Sequence, residues 1–200
     1  MSTESKTIGA VILAAGFGRR FGSDKRLAKL ATRTVAETTL QTYASVFDHV
    51  RIVLRSEDQV LASLLAPYGE IVLTDHAHLG MGHSLAAGFA DLNWQWGFVG
   101  LADMPFVASS TLALLIDEAK RCDKAIVRPH FEQSTDAPAQ PPHGHPIGFH
   151  CSLFAALAQL SGDAGARQIL RAHPDQIHDV AVVDKGVIRD IDKPEDLGSS

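Results

Sequence analysis

The sequence predicts an α/β fold, a three-layer α/β/α sandwich around a mostly parallel central sheet. Apolar runs alternate with helical patterns along most of the 200 residues, the order in which strand, crossover helix and parallel strand build one sheet. The runs suit strands covered on both faces. The first one ends in a turn of small residues, Ala14, Ala15, Gly16 and Gly18, and ligands of such sheets lie beyond the carboxyl ends of the strands.

From the amino terminus, IGAVILAA (8–15) is a buried strand. TVAETTLQTYASVF (34–47) reads as a helix, and VRIVL (50–54) returns as a strand. DQVLASLLAPY (58–68) is helical, EIVLT (70–74) extended, GHSLAAGFADL (82–92) helical and WGFVGLAD (96–103) extended. SSTLALLIDEAK (109–120) is helical, and AIVRP (125–129) is the next strand. HFEQSTDAPAQPPHGHP (130–146), rich in proline and polar residues, reads as a long irregular insertion. A short extended IGFH (147–150), the helix CSLFAALAQL (151–160), the turn SGDAG (161–165) and the helix ARQILRAH (166–173) follow. Two short strands near 177 to 191 and a polar tail end the chain. No internal repeat or Ser/Gly linker interrupts this order, so one domain is expected over residues 1–200, with tails at 1–7 and 198–200 and a long loop at 130–144.

Composition narrows the function classes. With 18 Lys+Arg against 23 Asp+Glu, the formal charge is −5, which argues against broad nucleic-acid binding. The start, MSTESKTIG, has no apolar signal core, and no apolar run reaches the ~18 residues of a membrane span. A cytoplasmic location without membrane contact is expected. Cys122 and Cys151 have neither paired-ligand spacing nor a disulfide framework and are expected to be buried thiols in a reducing compartment.

Against that acidic balance, Arg19, Arg20, Lys25, Arg26 and Lys29 crowd into the segment after the first strand, which points to an anion. Two well-known phosphate loops are narrowly missed. A dinucleotide fingerprint requires glycine where Phe21 stands, and a Walker A loop requires Lys directly after Gly22, where Ser23 stands. What remains is a strand, a small-residue turn, and Arg20 and Lys25 on the same loop. Backbone amides of such a turn can cradle phosphate oxygens while the two cations neutralise their charge.

The segment LAAGFGRRFGSDK (13–25) resembles the L-A-A-G-x-G-x-R-x-G-x-x-K signature of MobA-like nucleotidyltransferases, a family with a Rossmann-like, GT-A-type sheet whose members include molybdenum cofactor cytidylyltransferases. The resemblance implies that Leu13, Ala14, Ala15, Gly16, Gly18, Arg20, Gly22 and Lys25 form the loop around the base and triphosphate of a nucleotide. VGLADMP supplies Asp103 at the end of an apolar strand, where a carboxylate needs a partner. Mg²⁺ suits it, since that ion favours one or two carboxylates plus substrate phosphates, and the family's metal-binding Asp lies in an A-D-M-P segment. VIRDIDKPEDL is similar to the family's D-I-D-T-P-E-D-L ending. Asp192 matches the second metal ligand; Asp190 shares its strand face and is a rival, Lys193 replaces the usual Thr, and a simple helix start is the alternative.

HLGMGHSLAAG resembles the family's G-M-x-x-S-L-x-x-G segment near ribose and base, which implicates Gly80, Gly82 and Ser84; His83 either stacks on a ligand or faces water. For the acceptor half, GHPIGF and GDAGARQIL match the family's G-H-P-x-G and G-D-x-G-A-R. They implicate Gly144, His145, Pro146, Gly148, Asp163, Gly165 and Arg167. The second motif is a turn feeding a helix start with Arg167 in its first turn, a chemistry suited to phosphate, although Asp163 could simply cap that helix. His130, His143 and His145 lack helical spacing and Cys partners, which argues against zinc, and Trp94 and Trp96 suit packing.

The resemblance implies Mg²⁺-dependent nucleotidyl transfer in which an acceptor phosphate attacks the α-phosphorus of a nucleoside triphosphate and pyrophosphate leaves. Cytidylyl-transferring members carry Ala-Ala-Gly after the strand, as at Ala14 to Gly16, and guanylyl-transferring members tend to carry Ala-Gly-Gly. The methyl of Ala15 therefore leans towards CTP, with a molybdopterin-type cofactor as acceptor and a molybdoenzyme as a potential client. A guanylyltransferase, a sugar-phosphate nucleotidyltransferase and a non-catalytic nucleotide- or cofactor-binding accessory protein are the alternatives.

Overall fold

A computed structural model describes residues 7–16, 21, 24–132 and 141–198. The elements are β1 (Ile8–Leu13), β2 (Lys29–Leu30), β3 (Arg33–Thr34), α1 (Val35–Ala44), β4 (His49–Arg55), α2 (Gln59–Leu65), β5 (Glu70–Thr74), α3 (Met81–Phe89), β6 (Trp96–Leu101), α4 (Ser109–Arg121), β7 (Ile126–Phe131), β8 (Ile147–His150), α5 (Phe154–Leu157), α6 (Arg167–Ala172) and β9 (Ile177–Val182). Seven strands form one sheet in the order β5-β4-β1-β6-β8-β7-β9, and β2 with β3 makes a separate two-residue ladder. The pairs β1–β4, β1–β6, β4–β5 and β7–β9 are parallel, as the strand-helix alternation requires. β8 runs antiparallel to both neighbours, β6 and β7.

Alternation along β1 divides the interior into two cores, because successive side chains leave a strand on opposite faces. Ala10 and Ile12 join Leu40 and Tyr43 of α1, Leu61 and Leu65 of α2, and Leu112 and Leu115 of α4. Val11 and Leu13 face the other way, onto Leu85 and Phe89 of α3, Phe154 and Leu157 of α5 and Ile169 of α6. The result is the expected three layers. Both tryptophans, Trp94 and Trp96, are buried core residues.

Several local expectations are corrected. The helix expected over 151–160 is a 3-10 turn, Cys151–Leu153, followed by a four-residue α5. Only one strand, β9, occurs between 177 and 191. The second is replaced by a 3-10 turn, Lys185–Ile188, because the Asp184 carboxylate accepts hydrogen bonds from the amides of Gly186 (2.8 Å) and Ala108 (2.9 Å) and from Thr111 Oγ1 (2.8 Å). Asp184 thereby clamps this segment to the start of α4, which has no side-chain cap of its own. β7 continues past Pro129 to Phe131, and the base of the 130–144 insertion is tied to it through Phe131 N to Pro142 O (3.0 Å) and Gly144 N to Pro129 O (2.9 Å). Of the two thiols expected to be buried, Cys122 is half-buried and Cys151 exposed, because Cys151 starts the turn that leaves β8.

Candidate active site

β1 has β4 on one side and β6 on the other. The chain therefore leaves the carboxyl ends of β1 and β6 in diverging directions, and a crevice opens there. It holds about 530 Å³ and is lined by Leu13 to Gly16 at the end of β1, Lys25 and Arg26, Ala77, His78, Gly80 and Met81 with Ser84, Leu101 to Asp103 at the end of β6, and Asp163. The turn after β1 is anchored from both sides: Ala14 N donates to Val53 O (2.9 Å) and Ala102 N donates to Leu13 O (3.1 Å).

Lys25 begins a 3-10 turn, Lys25–Leu27, capped by Asp24. Its Nζ lies 2.6 Å from Asp103 Oδ2 and 2.9 Å from Asp192 Oδ1. Burial alone pushes its ammonium down, but contacts with the two carboxylates outweigh burial and hold it above the usual lysine range. Asp103 sits just beyond β6, and its carbonyl accepts Ile191 N at 2.9 Å, which draws the carboxyl-terminal segment across the crevice. Asp196 completes that placement by accepting the amides of Asp192 (2.9 Å) and Lys193 (2.7 Å). One carboxylate oxygen each from Asp103, Asp190 and Asp192 lies within 4.8 Å of the others. Both rival aspartates therefore reach the cluster. Partial burial and then the charges of Asp192 and Asp103 push the Asp190 carboxyl up.

This donor set fits a hard divalent cation. It is all oxygen, its negative charge exceeds what Lys25 balances, and Asp103 Oδ1 is buried with no hydrogen-bond partner among the described residues. A buried carboxylate oxygen left without a donor is costly, and a cation would satisfy it.

Arg26 takes the opposite direction from Lys25 and runs beneath the loop. Buried, it donates to Ala14 O, to both Asp24 oxygens (2.8 and 2.6 Å) and to both Asp58 oxygens (2.6 and 2.9 Å). Arg55 also grips Asp58, at 2.9 and 2.6 Å. Burial would push the Asp58 carboxyl up, but the two guanidinium groups overwhelm that and hold it at about 2. Sequence reasoning missed Asp58 and the structural role of Arg26; nothing in the spacing separates Arg26 from its basic neighbours.

The other expected residues divide. Leu13, Ala14, Ala15, Gly16, Lys25, Gly80, Ser84, Asp103 and Asp163 meet at the crevice. Gly18, Arg20 and Gly22 lie outside the described residues. Gly80 has φ 120°, where glycine is favoured, and a Cβ there would fall 2.5 Å from Asp163 Oδ1; it lets α3 begin against the 161–165 turn. Gly82 does not line the crevice: it donates to Gly162 O at 2.8 Å, and a Cβ there would sit 2.6 Å from Ser161 O. His83 faces His76, with ring centroids 6.1 Å apart.

Of the acceptor candidates, Gly144 packs on the Val187 carbonyl, and a Cβ on Gly148 would reach 2.6 Å from the Phe98 ring. Both glycines make room for the interior. His145 forms a cis peptide bond with Pro146. Its Nδ1 lies 3.3 Å from Val99 O, and burial pushes its imidazole down, against the pull of Asp103 and Asp190. A neutral ring with Nδ1–H donating to Val99 follows. Gly165, at φ 55°, packs on Met81. Asp163 does not cap α6, whose N-cap is Ala166, and Arg167 opens that helix as an exposed residue. The histidines do not converge: His143 pairs with Asp179 Oδ1 at 3.6 Å and stands beside His130, while His145 faces Val99. No helix among the described residues is long and apolar enough to cross a membrane.

The family model described as "MobA-like NTP transferase domain" matches residues 10–177. The chain is 32% identical over 201 residues to the purine catabolism protein PucB of Bacillus subtilis, covering 93% of this chain and 92% of that one. It is also 32% identical over 203 residues to nicotine blue oxidoreductase of Paenarthrobacter nicotinovorans, covering 98% and 97%. A probable molybdenum cofactor guanylyltransferase of Natranaerobius thermophilus is 27% identical over 131 residues, covering 62% and 63%. Among solved structures, the Rv0371c protein of Mycobacterium tuberculosis H37Rv superposes with a TM-score of 0.75 at 26% identity, covering 96% and 95%. A manganese complex of that protein gives 0.71 at 24% identity, covering 89% of each chain.

Proposed function

The chain belongs to the MobA-like NTP transferase family and is a nucleotidyltransferase, and from that premise we propose that it transfers CMP from CTP to the terminal phosphate of a molybdopterin-type cofactor, releasing pyrophosphate. One observation carries the reading. A cation and a carboxylate cluster, Lys25 with Asp103 and Asp192, stand at 2.6 and 2.9 Å in the crevice beyond β1 and β6, directly beside the Ala14 to Gly16 turn. Names of relatives support the molybdenum cofactor as acceptor class, and the base preference rests on Ala15, whose methyl narrows the crevice wall.

In this reading the Ala14 to Gly16 turn, with Gly18 and Ser84, holds the nucleotide, and Lys25 with Arg20 binds the triphosphate oxygens. Asp103, with Asp192 or Asp190, would hold a divalent cation, Mg²⁺ by preference, which supplies further neutralisation of phosphate charge when bound. The acceptor approaches from the 163–167 side, with Arg167 as its phosphate partner. An acceptor phosphate oxygen bonds to the α-phosphorus as the bond to the pyrophosphate oxygen breaks. A phosphate monoester loses its second proton near a pKa of ~6, so no general base is needed. Catalysis is positioning and charge neutralisation. His145, neutral and turned to Val99, orders the loop and takes no proton.

Guanylyl transfer is the second reading, favoured by the names of several relatives. The test is pyrophosphate release with each of the four common triphosphates and Mg²⁺, with and without molybdopterin. Release with CTP that depends on molybdopterin is expected; release with GTP alone overturns the cytidylyl assignment. Asp103→Asn should lower kcat about 10²-fold or more, the scale on which single electrostatic contacts act, and normal turnover in a folded D103N protein defeats the site assignment.

A further inference from the structure

We propose that Lys25 is a resident counter-ion of the cation site, a latch that must leave Asp192 before a divalent ion binds fully and that is handed over to the incoming triphosphate. The inference rests on the proposed function for the triphosphate, but its cation half stands on geometry alone. The Nζ of Lys25 engages one oxygen of each carboxylate, Asp103 Oδ2 at 2.6 Å and Asp192 Oδ1 at 2.9 Å. The two pairs differ in setting: with Asp103 the side chains are only 13% and 19% exposed, whereas Asp192 is 42% exposed and is the partner more easily given up. Ion pairs withdrawn from water are screened far less than exposed ones.

The second oxygen of Asp103 is buried and lacks a hydrogen-bond partner among the described residues. It offers a divalent ion a foothold that Lys25 does not occupy. Recruiting the Asp192 oxygen that Lys25 holds requires the ammonium to withdraw, since two positive centres cannot share that oxygen without strong repulsion. Lysine suits the withdrawal: its charge is a point on a flexible four-carbon stem, with no planar fork to realign. Phosphate oxygens brought by a nucleotide give the displaced ammonium a new partner. Metal and triphosphate then bind cooperatively through one side chain, and binding of either in isolation is weakened.

The consequence has opposite signs for the two ligands. Removing the Lys25 charge should strengthen binding of metal alone and weaken binding of nucleotide alone, which a purely structural lysine would not do. The test uses the full chain without nucleotide, titrated with Mn²⁺ and followed by the electron paramagnetic resonance of the free ion. Lys25→Met, which keeps the aliphatic stem, should bind Mn²⁺ about tenfold more tightly than the parent, equivalent to about 1.4 kcal/mol. Lys25→Arg, which keeps the charge, should gain less than about twofold, a difference of about 0.4 kcal/mol. Calorimetry with CTP alone should show K25M binding about tenfold more weakly, again about 1.4 kcal/mol.

Asp103→Asn separates the two claims. If D103N abolishes Mn²⁺ binding but K25M binds Mn²⁺ no better than the parent, the latch is overturned and the cation site stands. If D103N binds Mn²⁺ like the parent, the cation site is wrong and the latch falls with it. Tighter Mn²⁺ binding with unchanged CTP binding in K25M overturns the hand-over.

Discussion

Arg26→Met tests the physical basis of the loop most directly, because one buried guanidinium holds the turn after β1, the 3-10 turn of Lys25 and the residue before α2. The substitution preserves apolar bulk and removes every donor. Ala14 O and Asp24 Oδ2 then lose the donors that satisfy them, Asp24 Oδ1 keeps only the backbone amide of residue 26 (3.1 Å), and Asp58 loses one of its two guanidinium partners. Breaking a buried pair by removing one partner costs about 3–5 kcal/mol. Two features place this case at the low end: Asp24 is 34% exposed and can rehydrate, and Arg55 still grips Asp58 at 2.6 and 2.9 Å. The expected loss is about 3 kcal/mol, and at about 2–4 °C per kcal/mol for a chain of this size the melting temperature falls by about 6–12 °C. Urea unfolding should show the midpoint fall with an unchanged m value. Asp58→Asn in the R26M background should cost less than in the parent by about 1 kcal/mol or more, since neighbours in one network are coupled. An R26M loss below about 1 kcal/mol, or an additive cycle, refutes the network as the anchor of the loop.

Two further outcomes follow from the same geometry. The Asp58 carboxyl sits at about 2 in the folded chain, below the ~3.9 of a free aspartate, so its stabilising contribution is complete above about pH 5 and disappears as the pH falls through about 2. Denaturation from pH 7 to 2.5 should show the gap between the parent and D58N constant at first and narrowing below about pH 4; a gap that widens on acidification contradicts the pairing. Gly148→Ala would place a methyl 2.6 Å from the Phe98 ring, an overpacking cost of about 1–3 kcal/mol. That variant should melt lower while the KM for acceptor in the folded fraction stays unchanged, and a raised KM at unchanged stability would return Gly148 to the acceptor site.

The layered architecture was legible because a strand covered on both faces must be largely apolar, and IGAVIL and WGFVGL satisfy that throughout and HVRIVLR over Ile52 to Leu54, with helices between them. Two features were not. IGFH carries no mark of direction, and β8 inserts antiparallel between β6 and β7 because the chain returns through the 130–144 arm rather than a crossover helix. Residues 183–191 imitate a strand by placing Val183, Val187 and Ile191 among polar residues, yet Asp184 spends its carboxylate on Ala108, Thr111 and Gly186. A contact 73 positions away in sequence overrides the local pattern, and no window of neighbouring residues can reveal it. Motif glycines mislead in a related way: Gly82, Gly144 and Gly148 stand where backbone or rings approach closely, so their place in a functional signature reflects the shape of the scaffold as much as contact with a ligand.

The two adjacent bases at 25 and 26 show where sequence reasoning about a site runs out, and why the residue types still matter. Both belong to one basic cluster and one 3-10 turn and line the same crevice, and only their partners separate a movable cation from a structural one. Arginine is suited to the lower position, since its planar fork donates in fixed directions, is charged at every accessible pH and can meet two carboxylates bidentately. Asp24 and Asp58 receive it in that manner, at 2.6 to 2.9 Å. Lysine is suited to the upper position, where a single ammonium bridges Asp103 and Asp192 and a flexible stem allows the charge to move between partners. Exchanging them would put a rigid fork where mobility is needed and a single point charge where five hydrogen bonds are required. The order Lys-Arg thus carries information that the count of basic residues does not: the fixed charge holds the loop from beneath, and the movable one faces the anion.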